Sequence, residues 1–312
     1  MKYSHIAVKL FEREGEDVFY DPVYHGRTLK IFGMDEWPGR ALKYFADEYR
    51  KLDYGTVVFD TEGDFPEEGF DTVIRVEDGK GTGLDPFVLA SQGLLDGYTA
   101  ATIVQTVYGL DRSLTERLYA DFLAGKIKNV PQTLRSGGKY GDVIAESYTP
   151  LDEAFYSGEP PKFEKNILVD LGRTYSITLA GMAFLIVSAV VRHRRKTMIG
   201  VNDAAVLGYT TAGGAAIPLI TRPMRARVTV LATQYAIDSI MNLAGPSLIL
   251  YHDPDTQSVI YETNGVPLGP MRKHVHKGEG AFIYRTPETI NVFWGGVEFN
   301  PQKTGSQPTK TP

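Results

Sequence analysis

The sequence predicts an α/β fold with a mainly parallel sheet, helices on both faces and an inserted helical layer. Three observations predict it. Short β-branched or aromatic runs alternate along the chain with segments of helical periodicity, which is typical of parallel sheets. Some of these runs consist only of β-branched or aromatic residues, as in Thr56-Val-Val-Phe59, and such runs suit strands that are buried on both faces. The chain has 312 residues, 43% of them hydrophobic, which is enough for a large core.

The first 32 residues predict a small β lead-in and then the first core strand. Polar and apolar residues alternate from His5 to Phe11 and again from Asp17 to Tyr20. The run Thr28-Leu-Lys-Ile-Phe32 then leads directly into a glycine. We therefore expect a core strand whose end opens into a loop.

The segment after this strand occupies the place of a phosphate-binding loop. Gly33 ends the strand, Gly39 follows, and a helical repeat runs from Leu42 to Leu52. In such a loop glycine N–H groups wrap the phosphates, a lysine reaches the outer phosphates and a Ser or Thr holds Mg²⁺. Here Arg40 stands at the lysine position and Ala41 at the hydroxyl position, and the loop is too long by one residue. A nucleotide site and a simple tight turn are both open at this point.

A second apolar strand ends in a carboxylate. Thr56 to Phe59 predict the strand, Gly63 allows the turn, and Asp60 and Asp64 then lie at its carboxyl end. Open α/β sheets bind their ligands at that edge. Asp60 is therefore a candidate residue of the nucleotide site.

The middle of the chain predicts an insertion. Thr72 to Val76 is a further short strand, and residues 88–135 are helical in pattern. The run Ser113-Leu-Thr-Glu116 matches a capping box at the start of one of these helices. Residues 136–165 have no periodicity and predict a long surface connection.

The α/β pattern then resumes. A long apolar run from Leu179 to Val191 predicts a buried helix, since it is shorter than a bilayer span requires. The remaining predicted strands are 167–171, 197–201, 228–232, 247–250, 281–284 and 291–294. We assign residues 1–27 to the β lead-in, 28–300 to one core and 301–312, which are polar and contain proline, to a disordered tail.

Composition excludes several classes of protein. The chain has no cysteine, which excludes disulfides and thiolate chemistry and is compatible with a thermophilic source. A net charge of -5 argues against a protein coated in nucleic acid, although a local basic channel is compatible with it. The first residues lack the apolar core of a signal peptide. We expect a cytoplasmic protein without membrane insertion.

In their order and motifs these segments resemble the HerA/FtsK superfamily of ring-forming, DNA-pumping P-loop ATPases, above all its archaeal HerA-like and conjugation-type members. The resemblance covers roughly residues 17 to 300. It rests on Asp60-Thr-Glu-Gly-Asp-Phe65, Leu84-Asp-Pro-Phe87, Asn202-Asp-Ala-Ala205, Thr233-Gln234 and Gly278-Glu-Gly-Ala281. It implies a RecA-like core, a nucleotide site at Gly33, Gly39, Arg40, Ala41 and Asp60, and catalytic positions at Asp203 and Gln234.

The departures from the family pattern fall on its chemistry. ATP hydrolysis needs a lysine and Mg²⁺ at the phosphates, a carboxylate behind the metal and another that orients water. At these positions the chain has Arg40, Ala41, Asn202 and Asp203, and Asp203 is one methylene shorter than the family's glutamate. The resemblance therefore implies weak or absent use of ATP and Mg²⁺. We expect Arg40 to pair with Asp60 or Asp203.

Other charged groups allow two interpretations each. Arg222, Arg225 and Arg227 precede the strand that ends in Thr233-Gln234, where they could contact nucleic acid or a neighbouring subunit or form a solvated loop. His274 and His276 alternate on one predicted strand face, but no third ligand accompanies them, so we predict no metal site.

The sequence therefore predicts a catalytically degenerate HerA/FtsK-like protein that is a binding or structural component in DNA translocation, processing or transfer. We expect a homo-oligomer or a partner of an active ATPase, with DNA as a candidate ligand. Two alternatives stay open: a divergent but active ATP-dependent DNA translocase, and a scaffold that binds neither ATP nor DNA.

Overall fold

The computed structural model describes residues 3–135, 139–224 and 226–299. The chain divides into two compact units, unit 1 with Met1–Tyr54 and Val230–Pro312, and unit 2 with Gly55–Thr229. The predicted boundary between residues 27 and 28 stays a prediction. The predicted disordered tail, 301–312, lies outside the described residues.

The strands of the described ranges lie close to the predicted positions. Thr28–Phe32 and Thr197–Val201 are confirmed residue by residue. In chain order the strands are β1 Val8–Arg13, β2 Glu16–Tyr20, β3 Thr28–Phe32, β4 Gly55–Asp60, β5 Thr72–Arg75, β6 Ile167–Asp170, β7 Thr197–Val201, β8 Arg227–Thr233, β9 Ser247–Ile249, β10 Glu279–Arg285 and β11 Ile290–Gly296.

The helices connect these strands and form the insertion. In chain order they are α1 Trp37–Lys51, α2 Pro86–Ser91, α3 Gly97–Tyr108, α4 Arg112–Leu123, α5 Val130–Thr133, α6 Lys139–Ser147, α7 Pro150–Tyr156, α8 Ile177–Val191, α9 Ala204–Gly208, α10 Thr211–Thr221, α11 Asp238–Met241 and α12 Pro254–Thr263.

Unit 1 combines an antiparallel and a parallel part. Its strand order is β2-β1-β11-β10-β9-β3, followed by residues 230–233 of β8. The pairs from β2 to β9 are antiparallel, whereas β9 and β3 are parallel. Helix α1 begins with Pro38 in its first turn and buries Leu42, Phe45 and Tyr49. Each such burial contributes about 1.5–3 kcal/mol.

Unit 2 has a parallel sheet in the order β7-β4-β6-β5, with residues 227–229 of β8 beside it. Because parallel strands end at the same edge, the register brings Asp60 of β4 opposite Asp170 of β6. All residues of β4, β6 and β7 are buried, as their apolar runs predict.

The insertion is longer than predicted. Helices α6 and α7 occupy much of 136–165, where a surface connection was expected, so that expectation was wrong. The predicted capping box is also wrong, because Asp111 caps α4 by accepting from the Leu114 N–H and Ser113 lies inside the helix. The three-residue segment 136–138, which includes part of the glycine-rich run before Lys139, lies outside the described residues.

Helix α8 confirms the predicted buried helix. It contains the apolar run from Leu179 to Val191, is buried around its circumference and packs against α3, α9 and α10. A Cβ on Gly181 would lie 2.3 Å from Thr210 Oγ1, so the contact with the start of α10 requires glycine there. In the described part of the chain, no helix is long and apolar enough to cross a membrane.

Candidate functional site

Backbone N–H groups in the segment between β3 and α1 donate hydrogen bonds to carbonyl oxygens of the same chain. A nucleotide site would need such N–H groups to be free to bind phosphate. The N–H of Gly33 donates to Thr233 O at 3.2 Å and that of Met34 to Tyr251 O at 2.8 Å. The N–H of Trp37 donates to Met34 O at 3.3 Å. A phosphate cradle depends on such N–H groups pointing at the ligand. Protein carbonyls therefore take three of the N–H groups that this segment could offer to a phosphate.

The shape of this loop also differs from the expected one. Helix α1 begins at Trp37, so Gly39 and Arg40 lie inside the helix and not in the loop. The residue before the helix, Glu36, provides no side-chain cap, and Asp35 has a left-handed φ of 53°. Two carboxylates thus stand next to the place expected for phosphate, where they would repel it.

Arg40 and Ala41 do not provide the phosphate and metal contacts that a lysine and a Ser or Thr would provide in a phosphate-binding loop. The Arg40 guanidinium pairs with Glu36 at 2.7 Å, one helical turn earlier, and lies 5.9 Å from the Trp37 ring centroid. Ala41 is fully buried and has no hydroxyl that could bind a metal. The predicted pairing of Arg40 with Asp60 or Asp203 joins residues of different units and stays a prediction.

The carboxyl edge of the unit 2 sheet gathers acids around an amide. Asn202 follows β7, and its Nδ2 donates to Asp60 Oδ1 and to Glu62 Oε2, both at 3.3 Å. Asp60 also accepts from the Phe65 N–H at 2.9 Å and the Glu62 N–H at 3.2 Å. The neutral amide thus stands between two carboxylates, where a P-loop ATPase would need a metal ligand.

The loops at this edge pack backbone against backbone. Gly63 has a φ of 73°, and a Cβ on Gly172 would lie 2.4 Å from the Gly63 N. Asp170 is held beside them by Arg173, whose Nε lies 2.6 Å from Asp170 Oδ2. The space between the ends of β4 and β6 is therefore filled by the protein itself.

Asp203, the candidate catalytic residue of the same edge, has an unusual backbone. Its φ of 50° and ψ of 56° place it in the left-handed region, and it is 9% exposed. It stands before α9 without a side-chain capping hydrogen bond. Its catalytic role stays a prediction.

Gln234, the other candidate catalytic residue, lies at the end of β8 in unit 1. Its backbone carbonyl oxygen lies 2.8 Å from His252 Nε2. His252 Nδ1 lies 2.6 Å from Asp253 Oδ2, and Asp253 caps α12 by accepting from the Thr256 N–H at 2.8 Å. These bonds hold the pKa of Asp253 down at about 2, through the cap first and His252 second. This pair was not predicted, although Asp253 before Pro254 is a recognisable helix start.

The three arginines predicted as contact residues differ from one another. Arg227 is 2% exposed and donates from Nη1 to Arg192 O at 2.6 Å and from Nη2 to Arg222 O. Its burial does not fit a contact with DNA or a neighbouring subunit, because its fork is used inside unit 2. Arg222 is exposed. Arg225 lies outside the described residues.

The histidines near the carboxyl terminus do not lie on a strand as predicted. His274 and His276 belong to the segment before β10, which begins at Glu279. Within residues 3–135, 139–224 and 226–299, no group of three or more His, Cys, Asp or Glu side chains could hold a metal ion.

In unit 1, the N–H groups of Gly33, Met34 and Trp37 donate to carbonyl groups, and Ala41 provides no hydroxyl. In unit 2, the amide of Asn202 stands between two carboxylates. Neither set of residues, taken in its own unit, fits Mg-ATP.

Comparison with known proteins supports the fold. No protein family's sequence model and no curated protein matches the chain. The structure of VirB4 of Thermoanaerobacter pseudethanolicus matches with a TM-score of 0.69 and 11% identity, over 98% of this chain and 99% of that one.

Two further solved structures are less similar. The plasmid coupling protein TrwB in complex with the non-hydrolysable GTP analogue GDPNP has a TM-score of 0.47 and 14% identity, over 88% of this chain and 86% of that one. The genome packaging NTPase B204 from Sulfolobus turreted icosahedral virus 2, in complex with sulfate, has a TM-score of 0.41 and 9% identity, over 87% of this chain and 96% of that one. Only the VirB4 likeness bears on the fold. It confirms that the chain has the RecA-like P-loop ATPase fold that its sequence predicts.

Proposed function

We propose that this protein is a degenerate relative of the DNA-translocating ATPases that does not hydrolyse ATP. It serves as a binding or structural component in DNA translocation, processing or transfer. It assembles with copies of itself or with an active ATPase, in the cytoplasm. The RecA-like fold and the VirB4 likeness support this class, and the altered site supports the loss of catalysis.

The observation that carries the proposal is the use of the loop N–H groups by this chain's own carbonyls. Gly33, Met34 and Trp37 all donate within unit 1. A phosphate would have to break these bonds and then approach Asp35 and Glu36. A buried donor or acceptor left without its partner costs about 1–3 kcal/mol, so opening the loop opposes nucleotide binding.

The acid-rich edge of unit 2 supports the same conclusion. Hydrolysis requires an anionic ligand behind the metal, and Asn202 supplies a neutral donor there. The amide hydrogens neutralise part of the repulsion between Asp60 and Glu62.

A DNA contact would use exposed basic side chains between the end of α8 and β7 and between α10 and β8. Arg192 pairs with Asp96 at 3.0 Å, Arg194 donates to Glu164 O at 2.6 Å, and Arg227 is buried. Arg195 and Arg222 are exposed. We expect weak, sequence-independent binding that falls steeply with salt, because such contacts release counterions.

The test is the melting temperature with and without Mg-ATP. A nucleotide at 100 times its Kd would stabilise the fold by about 2.7 kcal/mol, which raises Tm by roughly 4 °C in a chain of this size. We expect no rise at millimolar Mg-ATP and no release of phosphate. Arg40→Ala is the diagnostic variant, and Lys43→Ala on the same helix is its matched control.

A rise in Tm or steady phosphate release that Arg40→Ala abolishes and Lys43→Ala preserves would show an active, divergent ATPase and refute the proposal. Binding of duplex and single-stranded DNA, measured across a salt series, separates the DNA-binding component from the scaffold. Absence of DNA binding at low salt, or binding that Arg195→Ala/Arg222→Ala leaves unchanged, contradicts the DNA contact described above.

A further inference from the structure

Unit 1 contains a cavity of about 310 Å³ that none of the candidate nucleotide-site residues lines. It lies between the β1–β2 hairpin and the β10–β11 hairpin, and aromatic rings from both line it. These rings include Tyr3, Phe19, His25, Tyr284 and Phe293. Tyr3 is 37% exposed, and Phe19, Tyr284 and Phe293 are half-buried, so the rings are accessible from solvent.

The rings are arranged in two groups. The centroids of Tyr3 and Phe19 lie 4.7 Å apart. Tyr284 lies 4.3 Å from His25 and 6.1 Å from Phe293, with an angle of 5° between the Tyr284 and Phe293 planes. Aromatic faces carry negative electrostatic potential and attract cations within about 6 Å of the ring centroid. The chain already shows this preference, since Arg13 Cζ lies 6.0 Å from the Phe293 centroid.

The charged residues of the cavity leave one acid without a partner. Glu14 lies 3.9 Å from Arg13, and Asp17 pairs with Lys9. Glu16 is exposed and has no ion pair within the part of the chain that the structure describes. Burial lowers the pKa of His25, which disfavours a positive charge on this ring. The cavity therefore has one uncompensated charge, and it is negative.

The surrounding strand favours a peptide ligand. Strand β2 is the last in the strand order of unit 1 and pairs with β1. Four residues of the segment 16–19 line the cavity. An edge strand offers backbone N–H and C=O groups to an extended segment of another protein. A side chain from such a segment could then enter the cavity.

We propose that this cavity binds the cationic head group of an arginine or lysine side chain presented by an extended segment of a partner protein. The ring faces and the Glu16 carboxylate provide the attraction for the cation. An anionic ligand would meet Glu16, and a neutral apolar ligand would make no use of it. This inference is independent of whether the protein binds ATP or DNA.

The test uses two short synthetic peptides with blocked ends, identical except for a central arginine or its neutral isostere citrulline. Binding to the full chain is measured by saturation-transfer NMR, which detects millimolar Kd values. We expect the arginine peptide, and a matching lysine peptide, to bind about tenfold more tightly than the citrulline peptide. Free arginine amide, which lacks the extended backbone, should bind more weakly than the arginine peptide.

The variants are Glu16→Gln and Phe293→Leu, with Glu68→Gln, an exposed acid of unit 2, as the control. We expect the first two to weaken binding of the arginine peptide by about five- to tenfold and the control to leave it unchanged. Equal binding of the arginine and citrulline peptides, or binding that neither cavity variant alters, overturns the proposal. Binding of free arginine amide as tight as that of the peptide overturns the partner segment and assigns the cavity to a small cation. Glu16→Gln changes an exposed side chain, so it tests the cavity even if Phe293→Leu unfolds the protein.

Discussion

Lys30 makes the stability of unit 1 depend on pH in a way that can be measured. It lies in the middle of β3, is 2% exposed, and donates from Nζ to Met241 O at 3.0 Å and Leu243 O at 2.8 Å. Burial, with a smaller effect from Arg285, lowers its pKa from 10.5 to about 8. A charged amine that donates to two backbone carbonyls is therefore buried at neutral pH.

The sign of the effect follows from proton counting. Below pH 8 both the folded and the unfolded chain hold the proton, and the folded state is penalised by the buried charge. Between about pH 8 and 10.5 the unfolded chain binds more protons than the folded one, so the free energy of unfolding rises with pH. A gap of roughly 2.5 pH units corresponds to about 3 kcal/mol.

The perturbation is Lys30→Met, which removes the titrating group and roughly keeps its volume. At pH 7 we expect little net change, because the lost charge penalty is offset by two carbonyls that lose their donor. From pH 7 to 10 the wild type should gain up to about 3 kcal/mol relative to the variant. Buried tyrosines titrate in both proteins, so their contribution cancels in this difference.

The assay is urea unfolding at pH 7, 8, 9 and 10, with Lys51→Met as the control, since Lys51 is an exposed lysine on α1. The control should follow the wild-type curve. If the wild type and Lys30→Met have parallel stability curves over this range, the reasoning about Lys30 is refuted.

Two further predictions concern the carboxyl edge of the unit 2 sheet. Asn202→Asp places a third carboxylate beside Asp60 and Glu62, so it should lower stability by about 2–4 kcal/mol at pH 7. The loss should be smaller at pH 4, because repulsion among carboxylates weakens as acidic side chains bind protons. Thermal unfolding at the two pH values measures this loss, with Asn129→Asp as the control. The Asn129 side chain caps α5, a position that also accepts Asp. An equal loss of stability in both variants would contradict the prediction. Gly172→Ala puts a Cβ 2.4 Å from the Gly63 N and should cost about 1–3 kcal/mol, whereas Gly214→Ala inside α10 meets its nearest atom at 3.4 Å and should be neutral or stabilising. Urea midpoints compare the two, and an unchanged Gly172→Ala midpoint would show that the two loops separate easily.

Local pattern alone determined the main elements of this protein. Strands β3 and β7 and the buried helix α8 could be predicted because segments of their lengths that are rich in apolar or β-branched residues have few other stable places in a globular chain. The order of these elements, together with the motifs that resemble the HerA/FtsK superfamily, predicted the RecA-like fold, which the VirB4 likeness confirms. These features depend on residues close together in the chain.

Helix boundaries inside the insertion depended on which of several suitable residues capped each helix. The sequence pattern does not show that choice. Ser113 and Asp111 both suit an N-cap, and the structure uses Asp111. Helices α6 and α7 form where no periodicity was evident, because packing against the other insertion helices stabilises short segments that would not be helical alone.

The condition of the candidate site was decided by tertiary structure. The residue types at Arg40, Ala41 and Asn202 indicated an altered nucleotide site. The sequence did not indicate which groups of the protein would make the contacts that a nucleotide and its metal ion would otherwise make. The Met34 N–H donates to the backbone carbonyl of Tyr251, more than 200 residues away in the chain. The Asn202 amide donates to Asp60, and these residues lie at the ends of the neighbouring strands β7 and β4. The aromatic cavity likewise joins hairpins from the two ends of the chain. Hydrogen bonds and ring contacts of this kind depend on which strands become neighbours, and only the folded chain brings those residues within reach of one another.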